Sequence, residues 1–302
     1  MVDICLLGTG GMYPLPERAL TALYVRMGGH AMLVDCGEGT QTAIRNAGLR
    51  FKAIDGLLIT HFHADHISGL PGLLLTMGNE GRDEPLHMYG PEGLAQIVNS
   101  LRAIVPVLPF EIIFHELRTD ELSSCGCIGL DVTVLPLDHG IVPCVGYHFA
   151  LKRKGKFSAQ AAKEKGIPVQ LWRRLQNGEC VDGFTPEDVM SQPRRGLSFL
   201  YATDSRPVPA IQEYATDTDL LILEGMFGEA EKQERAEESH HMMMQEAAQI
   251  AAKAGTKELW LTHYSPATRN PAVFETELKE IFAGAVIAAD GQNTTLHFAE
   301  ED

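Results

Sequence analysis

Three histidines and an aspartate fall within six residues of one another in the stretch Thr60-His61-Phe62-His63-Ala64-Asp65-His66. All four are metal-ligand types, and so many nitrogen and carboxylate donors on one short segment read as a metal site rather than a polar loop. His61 and His63 alternate by two, so an extended backbone presents both on one side. Asp65 and His66 then turn the chain. The element that must position them is a buried strand ending in Leu57-Leu58-Ile59, with Gly69 and Pro71-Gly72 keeping the backbone tight before a helical run from Leu73 to Met77.

Three further donors stand at the ends of apolar, strand-like runs: His139 after Leu130–Leu137, Asp204 after Leu197–Tyr201, and His263 after Leu259–Leu261. Together with His61, His63, Asp65 and His66 they make seven candidates. One zinc ion takes four ligands in a structural site, or three plus water in a catalytic one. Seven suits two ions with a carboxylate bridging. Two metals roughly 3.5–4 Å apart clamp the attacking and leaving oxygens of a displacement and lower the pKa of a water, which points to hydrolysis, most naturally of a phosphodiester. His30, His87, His115, His148 and His297 lie within or beside strands and read as core or surface residues. Asp35 and Glu38, in the turn Asp35–Gln41, are open to two readings: orienting metal-bound histidines or capping the following helix. The run Gly8-Thr9-Gly10-Gly11 lacks the Gly-Lys-Ser/Thr ending of a phosphate loop and reads as a turn that brings backbone close to a site.

The surrounding pattern interleaves strands and helices, an α/β or α+β arrangement. Strands are expected at Ile4–Leu7, Thr21–Met27, Ala31–Val34, Pro85–Tyr89, Phe110–Leu117, Val145–Leu151, Leu220–Leu223, Ala285–Ala288 and Thr294–Phe298. Helices are expected at Thr42–Gly48, Gly93–Ala103, Met242–Ala254 (closed by Gly255) and Ala272–Phe282, with a charged helical stretch at Glu229–Glu238. The 302 residues carry a formal charge of −15, which excludes a protein that coats nucleic acid or anionic membrane with its whole surface. Lys152 to Arg195 departs from this balance. It holds ten Lys or Arg against five Asp or Glu, which gives it +5 and leaves the remainder near −20. The segment 152–195 reads as an inserted basic arm within a single domain of residues 1–302. Trp172, beside Arg173 and Arg174, is expected to be an exposed aromatic, and the arm reads either as a grip on RNA phosphates or as a solvated surface excursion. No apolar stretch is long enough to span a membrane and the N-terminus enters a strand without a basic leader. The six cysteines are scattered, with Cys125-Gly126-Cys127 in a turn-like stretch. They read as reduced, mostly buried thiols of a cytoplasmic protein.

His61-Phe62-His63-Ala64-Asp65-His66 resembles the signature of the metallo-β-lactamase superfamily. Asp35 to Gln41, Gly69-Leu70-Pro71-Gly72-Leu73-Leu74, Tyr89-Gly90-Pro91 and Leu261-Thr262-His263-Tyr264-Ser265-Pro266 are similar to the ribonuclease Z family within it, the tRNA 3′-processing endonucleases. So are the arm's Gly155-Lys156-Phe157, Gly166-Ile167-Pro168 and Asn177-Gly178-Glu179-Cys180-Val181. The resemblance runs over nearly the whole chain. It implies a four-layer αβ/βα sandwich with the inserted arm, two Zn2+ (Mn2+ or Fe2+ also suit these donors), a tRNA precursor as substrate and a homodimer. By position it implies that His61, His63 and His139 hold one ion, that Asp65, His66 and His263 hold the other, and that Asp204 bridges. Asp65 would also handle the proton of the attacking water. A glutamate matched by Glu224 would orient a histidine near the scissile phosphate. Counting forward from Glu224 favours His240 and counting back from His263 favours His241; His241 is preferred, because a helix and a strand tolerate gaps less well than the charged stretch before them.

Three departures alter the expected phosphate and tRNA contacts. Met242 and Met243 stand where the family usually has Ser or Thr, Pro266-Ala267-Thr268 where it has Arg-Tyr, and Val169-Gln170-Leu171-Trp172 where the arm has Gly-Pro. They leave room for an alternative, a phosphodiesterase or other hydrolase of the superfamily acting on a small molecule, and for a non-enzymatic RNA- or metal-binding descendant.

Overall fold

The computed structural model describes residues 1–299. Fourteen strands form two seven-stranded mixed sheets. In spatial order the first is Asn293–Leu296, Val2–Gly8, Ala22–Met27, His30–Val34, Ile54–Leu58, Leu86–Pro91 and Ile112–Leu117. The second is Ala285–Ile287, Leu259–Thr262, Leu220–Glu224, Arg194–Ala202, Val145–Arg153, Leu130–Pro136 and Ser123–Cys127. In the first sheet, pairing is antiparallel as far as His30–Val34 and parallel beyond it. In the second, Ser123–Cys127, Leu130–Pro136 and the start of Val145–Arg153 pair antiparallel, while Arg194–Ala202 through Ala285–Ile287 pair parallel.

The central strands of each sheet are buried on both faces, which is why they are near-continuously apolar rather than alternating. On one face of the first sheet, Leu7, Tyr24, Leu33 and Leu57 pack with Ile44, Leu73, Leu74, Met77, Leu94 and Val98 from helices. The helix Leu70–Asn79 shows the reason. Leu70, Leu73, Leu74 and Met77 recur at helical spacing and are buried, and Pro71 occupies the first turn, where its missing N–H costs nothing. The second sheet is covered by Pro209–Ala215, Met244–Ala254 and Glu275–Ile281, through Ile211, Met244, Ala247, Ala251 and Leu278. Residues of opposite parity, such as Ile4, Leu6 and Val34 in one sheet and Tyr147, Phe149 and Ile222 in the other, are buried too. Helix, sheet, sheet and helix make the four layers of an αβ/βα sandwich. Tyr147 Oη donates to the Ile59 carbonyl at 2.6 Å, and Val145 N donates to the Thr60 carbonyl at 3.1 Å. These two bonds tie the second sheet to the strand exit that carries His61.

The described chain divides into two compact units, Met1–Ala150 with Ser198–His297, and Leu151–Leu197 with Phe298 and Ala299. The smaller unit has its own apolar core of Ala162, Ile167, Leu175, Val181 and Val189. It contains two helices, Ala159–Glu164 and Val169–Gln176, which the Gly- and Pro-rich sequence conceals. Trp172 is not the exposed aromatic expected from its basic neighbours. It is half-buried against this core, with its indole N–H on the Ile167 carbonyl at 3.1 Å and its ring 5.3 Å from that of Phe157. Cys125-Gly126-Cys127 is likewise no turn. It lies in the edge strand Ser123–Cys127, paired residue by residue with Leu130–Val134. Gly126 weakened that reading, yet cross-strand packing decides strand formation more than single propensities do.

Candidate metal centre

The parallel strands of both sheets deliver side chains at their carboxyl ends, where open α/β sheets form their sites. Asp35 follows His30–Val34, and the segment 61–66 follows Ile54–Leu58. Asp204 follows Arg194–Ala202, Glu224 ends Leu220–Glu224, and His263 follows Leu259–Thr262. Asp35, Asp204 and His263 all adopt left-handed backbone, with φ of 59°, 57° and 55°. Such a conformation is uncommon outside glycine and concentrates at functional sites.

All seven donors named from the sequence come together. His61, His63 and His139 bring nitrogens within 4.8 Å of one another, as do the donor atoms of Asp65, His66 and His263. Asp204 joins the sets: its carboxylate is 3.2 Å from His66 Nε2, 3.3 Å from His263 Nε2 and 4.0 Å from His139 Nε2. His63 is exposed, whereas the other six are buried. Facing nitrogens lie close, His139 Nε2 to His63 Nδ1 at 3.2 Å and His66 Nε2 to His263 Nε2 at 3.2 Å. His61 Nε2, His263 Nδ1 and Asp204 Oδ2 are buried without a hydrogen-bond partner. Leaving such atoms unsatisfied is costly, and a divalent cation is what converging imidazole and carboxylate lone pairs suit. The residues therefore fit a metal centre.

Burial and neighbouring charges push the donors in different directions. Burial holds His61 well below the ordinary imidazole range, and neighbouring His66 pushes the same way. Burial also lowers His139. Both are thereby kept neutral, the form that can bind a metal. For His66 burial works in the same direction, but Asp204 and Asp35 outweigh it and raise the imidazole. Burial would raise Asp65, yet its bond to His263 and the charge of His66 hold it well below the usual carboxylate range. Asp204 is lowered in the same manner, by His263 and His66 against its burial.

A ring of supporting contacts fixes the donors. Asp35 settles in favour of orientation: fully buried, it sits 2.8 Å from His66 Nδ1 and accepts from Thr60 N at 2.8 Å. That bond turns His66 Nε2 toward the centre. Glu38 plays neither expected part. It is exposed, and the helix Thr40–Asn46 is entered through Gly39 at φ 95°. The glycine run does bring backbone close. Met12 N donates to Asp65 Oδ2 at 2.6 Å, and a Cβ on Gly11 would sit 2.7 Å from His263 Cε1. Sequence reasoning missed the Met12 contact, since any residue supplies an N–H; the only signal was the run of small residues before it.

His241 and His240 separate clearly. His241 Nδ1 is 3.0 Å from Glu224 Oε2 and 3.9 Å from Asp204, and its ring stacks at 5.8 Å on that of His263. Burial would lower His241, but Glu224 beside it raises the imidazole to about 9. Glu224 is itself fully buried, and its other oxygen accepts from Ser205 N at 2.6 Å. His240 turns instead to Asp138, at 2.9 Å, with its side chain 41% exposed. Arg206, which the sequence did not single out, donates to the His241 carbonyl at 2.6 Å and pairs with Glu246.

Curated relatives cover this chain from end to end. A protein of Agathobacter rectalis named Ribonuclease Z is 48% identical over 306 residues, 100% of both chains. Another so named, from Lachnoclostridium phytofermentans, is 47% identical over 306 residues, again 100% of both. The chain belongs to the ribonuclease Z family. It is a metal-dependent hydrolase. Residues 167–264 match the family described as Beta-lactamase superfamily domain, and residues 2–142 match Anti-Pycsar protein Apyc1. The crystal structure of the short form of human tRNase Z shares the fold, with a TM-score of 0.71 at 24% identity over 98% of this chain and 100% of that one. The methionines that depart from the ribonuclease Z pattern serve packing. Met242 lies in the core beneath the second sheet, and Met243 packs with Met226, Phe227 and Ala236.

Proposed function

We propose that this chain is an endoribonuclease that removes the 3′ trailer of tRNA precursors, hydrolysing one phosphodiester at a centre of two divalent ions, zinc by preference. The observation that carries this reading is end-to-end similarity, at 41% to 48% identity, to proteins named Ribonuclease Z. The donor geometry supports the metal part. His61, His63 and His139 would hold one ion, Asp65, His66 and His263 the other, and Asp204, in reach of both sets, would bridge. When bound, the ions supply Lewis acidity to the phosphoryl group and ionise water near neutral pH.

The side chains do the rest. Asp65, held by the Met12 N–H, accepts the proton of the attacking water. The water oxygen bonds to phosphorus and the bond to the 3′ oxygen breaks. His241, kept protonated by Glu224, donates to the phosphate and passes a proton to the departing oxygen. The products are a tRNA with a 3′-hydroxyl and a trailer with a 5′-phosphate. The basic unit 151–197 is assigned to gripping the RNA, in a homodimer whose mass light scattering would report.

The test is cleavage of a tRNA precursor carrying a 3′ trailer, with and without chelator. Wild type cuts it, and chelator or Asp65→Ala abolishes cutting. Metal-loaded wild type that leaves such RNA whole would sink the reading. If the tRNA precursor stayed whole while a small aryl phosphodiester was turned over, with or without 152–195, a small-molecule phosphodiester would replace tRNA as the substrate.

A further inference from the structure

We propose that Tyr13 is a stacking platform for a nucleobase next to the scissile phosphate, making it a substrate-positioning residue. The inference rests on the endoribonuclease reading and deepens it by naming where a base is held. Tyr13 and Met12 are among the few large hydrophobic side chains left in solvent, each 56% exposed. The backbone that carries them touches the centre. The Met12 N–H is 2.6 Å from Asp65 Oδ2, and consecutive Cα atoms are about 3.8 Å apart, so the Tyr13 backbone lies within a nucleotide's length of the metal donors.

The loop that carries Tyr13 is held at both ends. On one side Gly11 lies against the His263 ring, Gly11 N bonds the Tyr264 carbonyl at 3.1 Å, and Tyr13 N bonds the Gly11 carbonyl at 2.9 Å. Met12 sits at φ 68°, a strained conformation that these bonds hold. On the other side Leu15 and Arg18 exchange backbone bonds at 3.0 Å. The Arg18 guanidinium donates to the Thr268 and Arg269 carbonyls at 3.2 Å each and lies 5.2 Å over the Tyr264 ring. Pro14 restricts the backbone of Tyr13 further. An exposed ring on a fixed backbone loses little entropy when a flat partner covers it. A base is such a partner, because every base has a π face and single-stranded RNA presents it unpaired.

The experiment compares wild type, Tyr13→Ala and Tyr13→Trp on three substrates: a tRNA precursor, the same RNA with an abasic site on either side of the cut, and bis(p-nitrophenyl) phosphate. Tyr13→Ala is expected to raise KM for the RNA about ten-fold, the effect of one base–aromatic stack, and Tyr13→Trp to restore it. The aryl phosphodiester, which lacks the ribose that spaces a base from the phosphate, is expected to keep its wild-type kcat in all three. On one of the two abasic RNAs wild type and Tyr13→Ala become equal, which identifies the stacked base. Equal KM for wild type and Tyr13→Ala on the intact RNA overturns the proposal. So does a matching loss on the aryl substrate, which would mean that the change disturbs Asp65. Failure of wild type to cut the RNA at all, with the aryl substrate still turned over, counts against the endoribonuclease reading instead.

Discussion

Glu224 has no solvent contact and two partners, the Ser205 N–H and the His241 imidazole. A buried carboxylate so placed favours the charged ring. In metal-stripped protein, NMR titration of His241 is expected to show it protonated up to about 9, against an ordinary value of 6.5. The sign follows from the raised value. The pair's contribution to stability is complete below the unfolded value and is lost as pH rises through about 9. Glu224→Gln removes the charge that raises the ring, so the titration moves down; a titration that stays put refutes the pairing. In turnover, His241→Ala is expected to cost about a hundred-fold or more in kcat, while His240→Ala, whose partner is the half-exposed Asp138, costs a few-fold at most. At this scale the sequence was most legible where residue type and position are local. His61 to His66, and lone donors after apolar runs, declare themselves. The choice between His240 and His241 does not, because it depends on which of two adjacent rings meets Glu224, and that is set by how the segment between them folds.

The strand ends act as brackets. Left-handed backbone at Asp35, Asp204 and His263 turns each side chain inward at the point where a sheet stops, and Gly11 makes room beside the His263 ring. Gly11→Ala is expected to push a methyl into the His263 ring, 2.7 Å away. It should cut activity and bound metal together, with metal content by atomic absorption as the check. Gly81→Ala, where nothing lies within 4 Å but φ is +79°, should cost only about 1 kcal/mol of stability and leave metal content unchanged. Most strands and the longer helices could be read from periodicity. Short elements could not: the helix Pro209–Ala215, the two arm helices and the edge strand Ser123–Cys127 have too few residues for a period to emerge. Asp35 stayed ambiguous for a related reason. Its partners Thr60 and His66 are 25 and 31 residues away, so its part is settled by strand pairing rather than by neighbours.

Over the whole molecule, charge is divided unevenly, with a basic segment 152–195 on a chain of −15. If that segment carries the phosphate contacts, KM for a tRNA precursor should climb with salt on a log–log line, and charge-reversing Lys163 and Arg173 should flatten the slope; an unchanged slope removes the arm from RNA binding. Chelation should also lower the melting temperature, by at least about 4 °C, because cations bound only by the folded chain stabilise it. Differential scanning calorimetry with and without chelator measures this. Among the described residues no helix is long and apolar enough to cross a membrane.

His66 faces His263 across 197 residues of chain, and Thr9 bonds Asp290 across 281. Contacts of such separation close late, since the entropy of the intervening loop must be overcome first. During synthesis, a ribosome-bound chain holding only the first 150 residues possesses His61, His63, Asp65, His66 and His139 but neither Asp204 nor His263. It is an incomplete donor set beside the very RNAs that a translating cell is crowded with. If these residues are the metal donors, the centre cannot close until Asp204 and His263 have also been made and have met the earlier histidines.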